Sequence, residues 1–143
     1  MRKLAFELTT TAPVKKIWSV ISDINNYHKY IKYCYYSRLV GDFKEGSTWY
    51  DFSTVAFVPL IINHKITKII PHQKVVYVIK SPFGQIHQTI SIVKGKKTRV
   101  ELEVVIDITN GLIDKTLGTM LYKRNEQMLE ETMQNYKKRF PAD

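Results

Sequence analysis

Residues 98–140 read TRVELEVVIDITNGLIDKTLGTMLYKRNEQMLEETMQNYKKRF, and the apolar period changes once within them. Up to Ile108 it is two. Val100, Leu102, Val104 and Ile106 fall on one side, and Arg99, Glu101 and Glu103 on the other. That is a strand buried on one face. Asn110-Gly111 closes it. Beyond, Leu117, Met120, Leu121, Met128, Leu129, Thr132, Met133, Tyr136 and Phe140 recur at three and four. No proline intervenes between Leu112 and Phe140, and the one glycine there, Gly118, lies near the start. The spacing predicts one amphipathic helix of roughly 25–28 residues, about 40 Å long at ~1.5 Å per residue. Such a helix needs a sheet face to cover.

The preceding residues supply that sheet. Leu4, Phe6 and Leu8 alternate with Ala5, Glu7 and Thr9, a half-buried strand over 3–9. Thr10-Thr11-Ala12-Pro13 reads as a helix start, with a threonine as cap and proline in the first turn. Val14, Ile17, Trp18 and Ile21 follow at helical spacing. Ser22-Asp23 can cap a second short helix over 23–31, carrying Ile24, Tyr27, Tyr30 and Ile31. Six period-two strands are expected near 34–41, 47–56, 59–70, 74–80, 84–93 and 98–108. Gly41-Asp42, Glu45-Gly46, Pro59, Pro71, Ser81-Pro82-Phe83-Gly84 and Lys94-Gly95-Lys96-Lys97 punctuate them. Consecutive strands joined by short turns form an antiparallel meander. A twisted sheet of seven strands curls. The expected class is α+β: a helix-grip, in which a seven-stranded curved antiparallel sheet wraps around a long C-terminal helix. The 143 residues are read as a single domain, 1–143.

The local sequence carries a resemblance. Thr11-Ala12-Pro13-Val14-Lys15-Lys16-Ile17-Trp18-Ser19-Val20-Ile21-Ser22-Asp23, followed by Tyr27, is similar to the N-terminal signature of the START-like superfamily, also called SRPBCC. Gly41 with Gly46, and Lys97-Thr98-Arg99-Val100 opening the last strand, look like it too. The superfamily includes birch-pollen allergens, lipid-transfer START domains, polyketide cyclase/dehydratases and coenzyme Q-binding proteins. Where many relatives place tryptophan after the second helix, this chain has Tyr27-His28-Lys29-Tyr30. The resemblance implies an apolar ligand held between sheet and helix, and no universal catalytic set.

Composition narrows the classes further. The formal charge is +9, and lysines dominate it. Only Gly95-Lys96-Lys97 and Lys137-Lys138-Arg139 are clustered, which suits a solvated lysine surface; an anionic membrane surface is a possible partner. Nucleic acid is an unlikely partner, because the basic residues form no aromatic-interleaved stripe. The uncharged stretch around Val55 to Asn63 is far short of the ~20 residues of a membrane span. The N-terminus has neither h-region nor cleavage site, so a cytoplasmic location is expected. Cys34, the one cysteine, cannot form an internal disulfide. His28, His64, His72 and His87 have no metal-ligand spacing, so no metal is expected; no cofactor motif is present either.

His64 shares strand parity with Leu60, Ile62, Ile66 and Ile70 and should face the apolar side. An imidazole there could bond a ligand or act as acid/base, or be a satisfied core histidine. Asp51 alternates with Trp49, Ser53 and Val55, and Tyr50 with Phe52, Thr54 and Ala56; parity leaves open which set faces inward. Inside, Asp51 needs a partner, with Arg124 the candidate; outside, it is an ordinary surface carboxylate. Arg124 and Asn125 interrupt the helix stripe between Leu121 and Met128. Tyr27, Tyr30, Tyr33, Tyr35 and Tyr36 crowd one segment and suit a cavity mouth or ordinary packing. The expected ligand-lining residues are Trp49, Tyr50, His64, Tyr77, Leu121, Asn125 and Met128; the catalytic candidates are His64 and Asp51. The leading expectation is binding or transport of a hydrophobic or amphipathic small molecule. The alternatives are a cyclase/dehydratase-type enzyme with His64 as acid/base, and a protein- or membrane-interaction module.

Overall fold

The computed structural model describes residues 1–55 and 57–140. Seven strands follow one another: β1 Arg2–Thr10, β2 Cys34–Val40, β3 Thr48–Val55, β4 Val58–Ile70, β5 Lys74–Ser81, β6 Gly84–Val93 and β7 Thr98–Ile108. Helix α1 (Val14–Ile21) and a 3-10 helix (Ile24–Lys29) lie between β1 and β2. The chain then ends in α2 (Gly111–Ile113), a π-helical stretch (Asp114–Gly118) and α3 (Thr119–Arg139). The expected strand positions hold to within two residues; Ala56, expected in the third strand, lies outside the described residues.

All seven strands form one antiparallel curved sheet in the order β1-β7-β6-β5-β4-β3-β2. The meander runs from β2 to β7, and β1 closes on its far side. Since β1 and β2 sit at opposite edges, α1 and the 3-10 helix must carry the chain across. They bury Ile17, Ile21, Ile24 and Tyr27 beneath them. The core joins these to Leu4 and Leu8, to Val100, Leu102, Val104 and Ile106, and to Leu129, Met133, Tyr136 and Phe140. Each fully buried side chain of this kind contributes roughly 1.5–3 kcal/mol.

Local chemistry departs from expectation in three places. The threonines do not cap α1: its N-cap is Pro13, with no side-chain cap bond, and the Thr10 hydroxyl instead accepts from Ala12 N–H. Asn110, read as the end of the sheet, is the cap of α2, its side-chain oxygen accepting from Leu112 and Ile113 N–H. A bulge between Ile66 and Lys68 shifts the register of β4 against β5. The extra residue flips parity, so Ile69 rather than Ile70 packs on the core beyond it.

The C-terminal helix is clamped at its start. Arg2 donates to the Asp114 carboxylate and carbonyl and to the Thr119 hydroxyl, at 3.1–3.5 Å. A Cβ at Gly118 would lie 2.3 Å from Asp114 Oδ1, so this glycine leaves room for the clamp.

Two features of the sheet shape the site. The β4–β5 ladder starts only at Lys65↔Val78, so residues 58–64 pair with β3 alone. These residues of β4 are therefore an arm that parts from β5, backed by β3 and, behind it, β2. Beside it, Gly84 closes the β5–β6 turn at φ +151°, where a Cβ would sit 2.0 Å from the Asp107 carbonyl oxygen. Backbone cannot yield as a side-chain end can. Gly84→Ala is expected to cost about 2–4 kcal/mol in urea unfolding; a loss below about 0.5 kcal/mol would contradict this account of the turn.

Candidate functional site

Strand parity and the helix stripe converge on an interior space beneath α3. Trp49, Asp51 and Ser53 point inward from β3, while Tyr50 and Phe52 are exposed on the outer face. The question left open by alternation is thus answered by burial. Tyr50, expected to line the ligand site, is corrected: it borders an outer groove with Tyr36, Arg38, Phe52 and Ile61. His64 points inward from β4 and is buried, as are Tyr77 on β5 and Asn125 on α3.

The space has two lobes that share Ile31, Asp51, His64, Gln88 and Met128 as walls. The outer lobe is a cavity of about 250 Å³, lined mainly by apolar side chains such as Leu60, Ile62, Leu117 and Leu121, with Arg124 and Asn125 from the helix. The inner lobe is about 60 Å³ and reaches Tyr27, Trp49, Tyr77 and Tyr136. The N-terminal half of α3 roofs the cavity through Leu121, Arg124, Asn125 and Met128, and its C-terminal half is core.

An aromatic cluster forms the inner wall. The Trp49 and His64 rings stack at 3.7 Å between centroids and 9° between planes. Tyr27 and Tyr77 meet Trp49 edge-on. Their hydroxyls bond each other at 2.7 Å, and Tyr27 also donates to the Ile21 carbonyl. Burial pushes the Tyr27, Tyr77 and Tyr136 phenols well above their ordinary value, so they stay neutral.

Asp51 and His64 face each other across the junction of the lobes, with His64 Nε2 at 3.6 Å from Asp51 Oδ2. Burial pushes the Asp51 carboxyl up to about 7, against a smaller downward pull from Arg124. Burial pushes the His64 imidazole down to about 3, against smaller opposing effects from the backbone of Ile62 and Trp49. The contact is therefore a neutral imidazole beside a carboxyl near half-ionisation at neutral pH, not an ion pair. Trp49 Nε1, Asp51 Oδ1 and His64 Nδ1 are buried and have no hydrogen-bond partner among the described residues. Buried polar atoms are rarely left so.

Arg124, the expected partner of Asp51, acts on it only through its field. Its guanidinium donates to the Thr54 carbonyl at 3.0 Å and the Ser53 hydroxyl at 2.6 Å, and it lies over the Tyr33 ring. Asn125 donates to the Leu121 carbonyl at 2.8 Å. Cys34 also borders the cavity, its thiol pushed up by burial to about 12 and so protonated. The tyrosine-rich segment divides: Tyr27 and Tyr30 are buried, while Tyr35 and Tyr36 point to solvent. Sequence reasoning passed over Gln88, which borders both lobes. Its signal was present, since it shares β6 parity with Ile86, Ile90 and Ile92. Among the described residues no group of three His, Cys, Asp or Glu side chains could hold a metal ion, and no helix is long and apolar enough to cross a membrane.

Comparison with solved structures shows where this architecture recurs. A START superfamily protein from Mycobacterium smegmatis superposes with a TM-score of 0.74 at 12% identity, covering 96% of each chain. The ginseng (Panax ginseng) major latex-like protein 151 superposes at 0.74 with 13% identity, over 99% of this chain and 98% of that one. The di-domain ARO/CYC protein BexL of the BE-7585A biosynthetic pathway superposes at 0.76 with 13% identity, over 99% of this chain and 50% of that one. At these identities the likeness is one of fold. No curated protein matches in sequence. The profile of the family described as polyketide cyclase / dehydrase and lipid transport matches residues 10–133, and the chain belongs to that START-like, SRPBCC family.

Proposed function

We propose that this protein binds a hydrophobic or amphipathic small molecule in the cavity between sheet and C-terminal helix. The observation that carries this reading is the composition of the cavity wall. It is apolar over most of its area, yet the polar side chains of Asp51, His64 and Gln88 border both lobes at its inner end. An apolar body would fill the outer lobe, and a polar group on it would lie beside Asp51, His64 and Gln88. Arg124, already committed to Ser53 and Thr54, serves to shape the wall beside them.

Native mass spectrometry of the purified protein should show a co-purifying apolar molecule, and titration with anilinonaphthalene sulfonate should saturate. Leu121→Trp, which fills the outer lobe from the helix, should lower probe affinity by at least about tenfold while leaving the fold intact. Saturable probe binding unchanged in Leu121→Trp would place the probe elsewhere and count against this cavity.

A second reading is favoured by the Asp51–His64 contact: proton transfer on a bound carbonyl compound. The ionisations reverse the roles expected from sequence. His64 is too weak a base near neutral pH to accept the proton, whereas a carboxylate near 7 is matched to the task. Asp51 is then the candidate base, and neutral His64 orients it or the substrate oxygen. Deuterium uptake into the methyl group of acetophenone, followed by NMR, tests this. Catalysis by the wild type and its loss in Asp51→Asn supports proton transfer; a rate equal to buffer removes it.

The same pair gives a pH signature with opposite signs. Asp51 is raised from ~3.9, so the folded state holds that proton more tightly and stability falls as pH rises from about 4 to 7. His64 is lowered from ~6.5, so stability falls as pH drops from about 6.5 towards 3. The stability difference between wild type and Asp51→Asn, from urea titrations, should therefore change across pH 4–7 and level off above. A difference that is flat with pH would contradict the burial of this carboxyl.

A further inference from the structure

Three turns at one end of the sheet each present a large apolar side chain to solvent. Val55↔Val58 closes the β3–β4 hairpin, with Phe57 at its tip and 100% exposed. Ser81↔Gly84 closes β5–β6, with Phe83 45% exposed. Gly84 pairs with Ile108, which brings the β7–α2 connection alongside, and there Leu112 is 75% exposed. Val58 and Ile61 on the arm are exposed as well.

Phe57 is the telling member. Its φ is +66°, a left-handed conformation that glycine or asparagine adopts easily and phenylalanine does not. At a hairpin turn this conformation ordinarily falls to glycine, asparagine or aspartate. Here the strained residue is also the one with no packing to offset the strain. Within the isolated protein, the side chain gains nothing from its place.

The tips are continuous with the cavity. Val55, Leu60, Phe83 and Leu117 border both the outer lobe and this end of the molecule. Leu60 and Ile62 of the arm and Ile79 and Ser81 of β5 line the cavity where the ladder between the two strands is missing, so an apolar molecule leaving by that gap would meet this rim. Lys80 and Lys115 stand exposed beside it, and Arg2 neutralises Asp114 there, although Asp107 remains. Separate protruding tips around an opening suit a deformable surface better than a complementary protein face.

We propose that this end of the protein docks on a lipid bilayer, with Phe57, Phe83 and Leu112 entering the interface and the cavity mouth facing the acyl chains. The docking rests on the reading of the cavity as an apolar-ligand site. The surrounding lysines make anionic lipid the preferred surface, while the tips supply the part of the attraction that salt does not screen.

The test uses flotation with vesicles of phosphatidylcholine, alone or with phosphatidylglycerol, alongside anilinonaphthalene sulfonate titration in solution. Neither Phe57 nor Leu112 borders the cavity, so Phe57→Asn/Leu112→Gln should keep saturable probe binding. The same variant should lose at least about tenfold in vesicle affinity. Phe57→Asn alone should also raise the unfolding midpoint, because asparagine accepts the left-handed turn. Wild-type protein that does not float with either vesicle, or floats no better than the double variant, overturns the docking. So does a wild-type dimer in sedimentation that the double variant dissolves, because the tips then belong to a second copy of the chain. In either case intact probe binding leaves the cavity reading standing, and loss of saturable probe binding in the wild type removes that reading instead.

Discussion

The structure depends on one helix packed over only part of its length. Leu129, Met133, Tyr136 and Phe140 fix the C-terminal half of α3 in the core against the sheet. At the other end, Arg2 ties the start of the helix to β1 through Asp114 and Thr119. Between these anchors the helix spans without filling, and the cavity is the space it bridges. Core side chains ordinarily close such voids, because each empty volume forfeits contacts on every wall. Here the two anchors hold the roof up, so the sheet's curvature is not taken up by collapse.

The contents of that space follow from the same arrangement. Low polarity around Asp51 and His64 drives both toward their neutral forms, in opposite directions along the pH scale. The pair thereby keeps a hydrogen-bonding capacity with its ionic charge confined to the ionised fraction of Asp51, and Arg124 is charged on the same wall. A strongly charged cavity would reject an apolar body, and a wholly apolar one would have no means of orienting it. Trp49, stacked on His64 and flanked by Tyr27 and Tyr77, holds the imidazole in place through ring contacts.

The architecture was legible in the sequence because it rests on periodicity. Val100 to Ile106 alternate over a full strand, and Leu117 to Phe140 keep a helical stripe, so few alternatives survive. The site was legible only in part. His64, Leu121 and Met128 reach the cavity because each sits on an apolar face that period identifies, Asn125 because it interrupts that helix stripe, while Tyr77 lies on a strand apolar on both faces. Tyr50 does not, because Trp49-Tyr50-Asp51-Phe52 puts an aromatic on each face and alternation gives no sign of which is inside. The decision between them comes from packing against Tyr27 and Tyr77, residues distant in the chain. The inverted ionisations of Asp51 and His64 were hidden for the same reason: solvation is a property of the assembled wall. The bulge at β4 was hidden because one extra residue leaves no mark on a strand rich in isoleucine.

The separation of residues 58–64 from β5 bears on time as well as shape. A ladder bonded on one side opens at a lower free energy than one flanked by strands on both. Residues 58–64 can therefore open locally while β5, β6, β7 and α3 stay assembled, with β3 held by β2 and by Arg124. Such an opening would part the cavity wall at Leu60 and Ile62 without unfolding the whole chain. A substitution in the core can cost the protein several kcal/mol without changing the frequency of that opening, and one in residues 58–64 can do the reverse.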